Sequence, residues 1–276
     1  MNEIDFSKIK VIASDVDGTL SFNKQAPSPR TVNTIRRLKK SVLFGLASGR
    51  PYADMKYKID DWGMDFGLDF MICWNGCELY DASSNHKYEY RFLKKEWISE
   101  IIDFMDEFDV NINMYGKDGT YISSEASDQA WLSAFNTRRR FVLATGKEDF
   151  CRYDNGGIMF RASLDDMPKI EKKLELLKGK DYVGFKTQAN LLEFSHKDAS
   201  KGYALKEYCR IHDISLDECL SFGDTTNDNS MFMVSHGICM LNGSDDSKAL
   251  AQMITEKGVE DEGFVDFIEK RMTDFI

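Results

Sequence analysis

Asp15-Val16-Asp17-Gly18-Thr19 closes an apolar run that begins at Ile9. Two carboxylates stand two residues apart where a buried strand should open into a loop. On an extended segment, side chains i and i+2 share a face, so Asp15 and Asp17 are expected to look into one site. Gly18 lets the chain turn sharply beyond them. Two anions held that close repel unless a cation or a shared proton intervenes. The pattern reads as a hard-metal site with a nucleophile and a proton donor.

Three further segments carry groups that suit such a site: Ser48-Gly49-Arg50, Ser200-Lys201-Gly202 and Gly223-Asp224-Thr225-Thr226-Asn227-Asp228. All fall at the carboxyl ends of predicted strands or at a helix start, where open α/β sheets place their ligands. Together they supply carboxylates for a metal, a hydroxyl, backbone N–H groups and a lysine. That equipment serves phosphoryl transfer: in-line attack, neutralisation of the phosphoryl oxygens and a proton for the leaving group.

The elements that must position these residues follow from hydrophobic periodicity. Residues 9–16 read as a strand buried on both faces. Ser28-Pro29 opens a helix through Val32, Ile35 and Leu38. A strand at 42–47 leads into a helix after Pro51, and a third strand spans 70–74. Asn75-Gly76 then turns the chain into a short return through 78–80. This spacing predicts a doubly wound, Rossmann-like parallel sheet. Asp81-Ala82-Ser83-Ser84-Asn85 reads as a linker. Beyond it, short strands alternate with helices at 94–108, 126–137 and 166–178, which predicts a smaller α/β domain inserted into the first. The first style returns with a helix at 200–212, a strand at 218–222, a helix at 227–234, a strand at 236–241 and helices at 246–254 and 261–272. The expected divisions are therefore 1–82 and 189–276 for the core and 83–188 for the insert.

Bulk properties narrow the classes. A chain of 276 residues with 42% apolar residues and four prolines suits a compact two-domain α/β protein. A net charge of −10 argues against nucleic acid, which requires a basic stripe; the run Arg138-Arg139-Arg140 is short and reads as a solvated face. The six cysteines form no CxxC pair, so reduced, mostly buried thiols are expected. With no signal peptide and no apolar run near the ~20 residues of a membrane span, a soluble cytoplasmic protein is expected. Gly179–Thr187 nearly matches a P-loop, but Phe185 intrudes before Lys186 and no strand–loop–helix context surrounds it.

The four segments, in this order and over nearly the whole length, resemble the haloacid dehalogenase-like hydrolases, and among them the Cof-type phosphatases with a large α/β cap. The resemblance implies that Asp15 is the nucleophile forming an aspartyl-phosphate. It also implies that Asp17 protonates the leaving oxygen and then activates water. It further implies Mg2+ held by Asp15, the Asp17 backbone carbonyl and Asp224, with Asp228 completing or orienting the shell. Ser48 and Lys201, aided by N–H groups of Val16, Asp17 and Gly49, are expected to hold the phosphoryl oxygens. Arg50, Asn75, Asn227 and Asn242 are expected near the substrate, although Asn75 also suits a purely structural Asn-Gly turn.

The expected function is magnesium-dependent hydrolysis of small phosphorylated metabolites such as sugar phosphates, pyridoxal phosphate or flavin mononucleotide. The insert is expected to act as a cap that excludes water and selects the leaving group. Two alternatives remain: phosphomutase-type transfer, and a metabolite-binding regulatory protein with a dormant site. Oligomeric state is not legible.

Overall fold

The apolar run at the start of the chain becomes β1 (Val11–Asp15), buried at every position. Alternate residues of a strand face opposite ways, and here both faces are covered. Ile12 packs into a core with Val32, Ile35, Phe44, Phe222 and Phe264. Val11 and Ala13 pack on the other side with Phe70, Ala204, Leu205 and Tyr208. This double burial is why β1 lacks polar alternation.

In this computed structural model, which describes residues 4–23 and 25–276, α1 (Pro29–Leu38), β2 (Leu43–Ala47), α2 (Tyr52–Asp61) and β3 (Phe70–Cys73) follow β1. Next come β4 (Glu78–Asp81) and β5 (His86–Glu89). After the insert the chain continues with α6 (Lys201–Ile211), β12 (Cys219–Gly223), α7 (Asn229–Phe232), β13 (His236–Cys239), α8 (Asp245–Leu250), β14 (Met253–Ile254) and α9 (Gly263–Arg271). The insert holds α3 (Lys95–Met105), β6 (Val110–Tyr115), β7 (Thr120–Ser123), α4 (Asp128–Asn136), β8 (Arg140–Leu143), β9 (Ile158–Ala162), α5 (Met167–Lys173), β10 (Tyr182–Gln188) and β11 (Leu191–His196).

Eight strands form one sheet in the order β14-β13-β12-β1-β2-β3-β4-β5. β1 lies parallel to both β2 and β12. From β1 the chain winds outward through β2 and β3, and after the insert it returns to the other side of β1 and winds the opposite way. That reversal creates a crevice at the carboxyl ends of β1 and β12, the place where such sheets bind ligands. The insert has its own six-stranded sheet, ordered β10-β11-β9-β6-β7-β8, and its own core around Ile98, Ile101, Met105, Phe160 and Phe194. Among the described residues no helix is long and apolar enough to cross a membrane.

Three sequence expectations are corrected. Residues 81–85 are not a linker but the turn of the β4–β5 hairpin: the Asp81 carboxylate accepts from the hydroxyls of Ser83 and Ser84, and β4 pairs antiparallel with β5. The boundaries move accordingly. The chain divides into a unit ending at Tyr90 and resuming at Ser200, and a second unit, Arg91–Ala199. The expected divisions at 82/83 and 188/189 would cut β5 from the first sheet and β11 from the second. The helix expected over 246–254 stops at Leu250, where Ala251 turns extended; Met253 and Ile254 pair with β13 instead. The near-P-loop glycine Gly184 and Lys186 lie inside β10.

Candidate active site

β1 ends at Asp15, which pairs in register with Ala47, the last residue of β2. Ser48 thus lies at the end of the neighbouring strand, and Asp224 follows directly on β12. Carboxylate oxygens of Asp15, Asp224 and Asp228 all come within 4.8 Å of one another, and all three residues are buried. Lys201 starts α6 behind an N-cap in which the Ser200 hydroxyl accepts from the Tyr203 N–H. Its fully buried ammonium donates to Asp15 Oδ1 at 2.5 Å and to Asp228 Oδ1 at 2.6 Å.

The electrostatics follow from this crowding. Burial, and then the charge of Asp228, push the Asp15 carboxyl up to about 8 against the opposing pull of Lys201. Burial and Asp228 likewise push Asp224 up to about 7. Burial alone would lower Lys201, but Asp15 and Asp228 outweigh it and raise the ammonium above its ordinary value. One lysine does not neutralise three buried carboxylates.

The donor set is all oxygen, which suits a hard divalent cation such as Mg2+, and the unrelieved repulsion is what such an ion would remove. The residues therefore fit the group. Gly18 lets the loop approach this cluster: its φ is +93°, and a Cβ there would lie 2.2 Å from Asp224 Oδ2.

Asp228 meets the cluster as an acceptor already engaged on both oxygens. Oδ1 takes the Lys201 bond, while Oδ2 accepts from the N–H groups of Asp224 at 2.9 Å and Thr225 at 3.1 Å. It thereby fixes Lys201 and the backbone that carries Asp224.

Asp17 departs from the strand-periodicity expectation. It lies beyond the end of β1, where period-two alternation no longer holds, and its carboxylate is outside the 4.8 Å cluster. Oδ2 instead accepts from Arg50 Nη2 at 2.7 Å. The two carboxylates of the DxD pair therefore occupy different environments, one buried beside Lys201 and one partly exposed beside Arg50.

The other expected residues divide. Ser48 is buried, and its hydroxyl accepts from the Arg50 N–H at 3.2 Å. Val16 is buried, and its carbonyl accepts from Thr19, Leu20 and Ser21, closing the loop that presents Gly18. Gly49 lies beneath the Asn75 side chain, 3.3 Å from where a Cβ would stand.

Asn75 ties strand ends together. Its N–H donates to the Ser48 carbonyl at 3.0 Å, and its Oδ1 accepts from Asn227 Nδ2 at 3.2 Å. Asn227 Oδ1 in turn accepts from the Thr225 hydroxyl. Asn242 donates to the Gly18 carbonyl at 2.8 Å and accepts from the Val259 N–H at 2.7 Å. The amides of Asn227 and Asn242 are thus engaged within the protein itself, in holding loops.

Sequence reasoning missed two contributors. The Thr19 hydroxyl lies 3.5 Å from Asp224 Oδ1. Gly202 permits α6 to seat against α7, since a Cβ there would lie 2.0 Å from the Ser230 carbonyl oxygen. Each stands next to a residue already singled out, which was the only local signal available.

Comparisons with known proteins identify the family and the fold. The family model of the haloacid dehalogenase-like hydrolases matches residues 12–268. A protein of Yersinia pestis (strain Pestoides F) called HMP-PP phosphatase is 26% identical over 235 residues, covering 84% of each chain. One of Yersinia enterocolitica with the same name is 26% identical over 236 residues, again covering 84% of each. Among solved structures, a haloacid dehalogenase-like hydrolase from Bacteroides thetaiotaomicron superposes with a TM-score of 0.83 at 22% identity, covering 95% of this chain and 99% of its own. A Thermotoga maritima protein superposes with a TM-score of 0.84 at 20% identity, covering 95% and 97%; at these identities the likeness is one of fold. With the family model spanning both sheet halves and every segment of the site, the chain belongs to the haloacid dehalogenase-like hydrolases.

Proposed function

We propose that this phosphoric monoester hydrolase acts on small phosphorylated metabolites, with Mg2+, through an aspartyl-phosphate on Asp15. The observation that carries the reading is the buried Lys201 ammonium between Asp15 and Asp228, beside Asp224. A lysine so placed holds the nucleophilic carboxylate in position and offsets the negative charge that would otherwise repel a phosphate. Asp15 Oδ attacks phosphorus as the bond to the leaving oxygen breaks, and Asp17 delivers its proton to that oxygen. In the second half a water attacks phosphorus, Asp17 takes the water's proton, and the bond to Asp15 breaks to release phosphate.

Asp15, Asp224 and the Asp17 carbonyl would hold Mg2+, with Asp228 orienting them. When bound, the ion supplies charge neutralisation to the phosphoryl oxygens. Ser48 and the Gly49 N–H assist in binding them. Specificity is assigned to the 91–199 unit, the family's cap.

Purified protein should be assayed against a panel of sugar phosphates, pyridoxal phosphate, flavin mononucleotide and HMP-PP, the last because of the two Yersinia relatives. Hydrolysis in labelled water should place one label in each released phosphate. Turnover that survives complete chelation would refute the metal requirement, and product lacking label would point to transfer instead.

A further inference from the structure

We infer that Arg50 is a positioning residue for Asp17: it fixes the proton-transferring carboxyl through Oδ2 and leaves Oδ1 to face the leaving group. This rests on the acid–base role proposed for Asp17.

The need for such a device follows from the backbone. Asp17 sits in a loop beyond β1, next to Gly18 at φ +93°, and its side chain is 36% exposed. An exposed carboxylate there would sample several rotamers. A misplacement of about 1 Å at a reacting group can cost on the order of 100-fold in rate.

Arg50 is held as a fixed anchor. Its N–H donates to the Ser48 hydroxyl, its carbonyl accepts from the Trp74 N–H at 2.8 Å, and Pro51 restricts its backbone from the other side. The guanidinium Nε is buried without a hydrogen-bond partner, while Nη2 reaches Asp17 at 2.7 Å. A planar guanidinium with Nε buried and Nη2 on a carboxylate has little freedom to turn. Lys58 of α2 is close enough for its ammonium to feel both groups, yet burial and Arg50 lower its pKa; the hydrogen bond to Asp17 belongs to Arg50.

A positioning role predicts a dependence on the leaving group that a merely structural role does not. Expulsion of an alkoxide needs the proton, whereas p-nitrophenolate leaves without it. The ratio kcat/KM reports through leaving-group departure, so it should be measured for a simple alkyl phosphate and for p-nitrophenyl phosphate in R50Q, R50K, D17N and D17N/R50Q. R50Q should lower kcat/KM on the alkyl ester by about 10–100-fold and on the aryl ester by less than about threefold. R50K, which keeps a cationic donor, should recover part of the loss and also guards against misfolding of R50Q. In the D17N background R50Q should add less than about threefold on the alkyl ester.

Equal losses on both esters, or a full R50Q penalty in D17N, would overturn the inference and make Arg50 a substrate-binding or structural residue. If D17N itself leaves alkyl-ester hydrolysis intact, the acid–base reading fails first, an outcome separable from the R50Q result.

Discussion

Replacing Lys201 by Met tests the electrostatic heart of the site. Each of its ion pairs, at 2.5 and 2.6 Å, is worth roughly 6 kcal/mol of gross attraction at an effective dielectric near 20. Removing the ammonium forfeits both pairs but also spares its desolvation, several kcal/mol. The carboxylates stay buried and face each other without a counter-charge. Protonation of Asp15, already pushed up to about 8, limits the damage near neutral pH.

The expected net loss is about 3–5 kcal/mol, or roughly 6–20 °C in Tm for a unit of this size. Thermal unfolding followed by circular dichroism in chelator would measure it. The double variant K201M/D228N should regain at least half of the loss. The asparagine removes one uncompensated charge, and its oxygen still accepts from the N–H groups of Asp224 and Thr225. A K201M protein melting within about 2 °C of wild type, or a double variant melting no higher than K201M, would refute the reasoning.

Asp15→Asn should abolish turnover while leaving the fold intact; unchanged hydrolysis of an aryl phosphate would sink the assignment. Asp15 and Asp224 are raised in the folded protein from an ordinary value of 3.8 to about 8 and about 7. The folded state therefore keeps protons that the unfolded chain has released. The stability this confers is complete below about pH 4 and is lost as pH climbs through 7–8. Melting in chelator should fall between pH 5 and 8, and added Mg2+ should flatten that fall; a Tm that rises over this range would contradict the sign. Gly18→Ala forces a Cβ toward Asp224 at a positive φ, so activity should drop more than tenfold with a stability loss of about 1–3 kcal/mol. Normal kcat in that variant would show that the loop relaxes freely.

Much of the core was legible because its signals are local. The all-apolar run into Asp15 marks a strand buried on both faces. Ser28-Pro29 and Ser200-Lys201 mark helix starts, and in the fold both serine hydroxyls accept from backbone N–H groups of the first turn. Asp15 and Asp224 could be placed at one edge of the sheet because each ends or follows a strand marked by periodicity, and Lys201 could be placed at a helix start.

What the tertiary structure decided lies where periodicity ends. Asp17 follows the last residue of β1, so nothing in the strand pattern dictates its direction; Arg50, 33 residues away, does. The resemblance places Asn242 near the substrate, and in the fold its amide closes a loop against Gly18, 224 residues distant. The turn-forming run 81–85 has the composition of a linker, and only the pairing of β5 with β4 makes it a hairpin. Side chains beyond the end of a regular element take their direction from partners brought by the fold, and partners remote in sequence leave no local pattern. The strand pattern alone places Asp15, while the direction of Asp17 depends on Arg50, a partner that only the fold brings near.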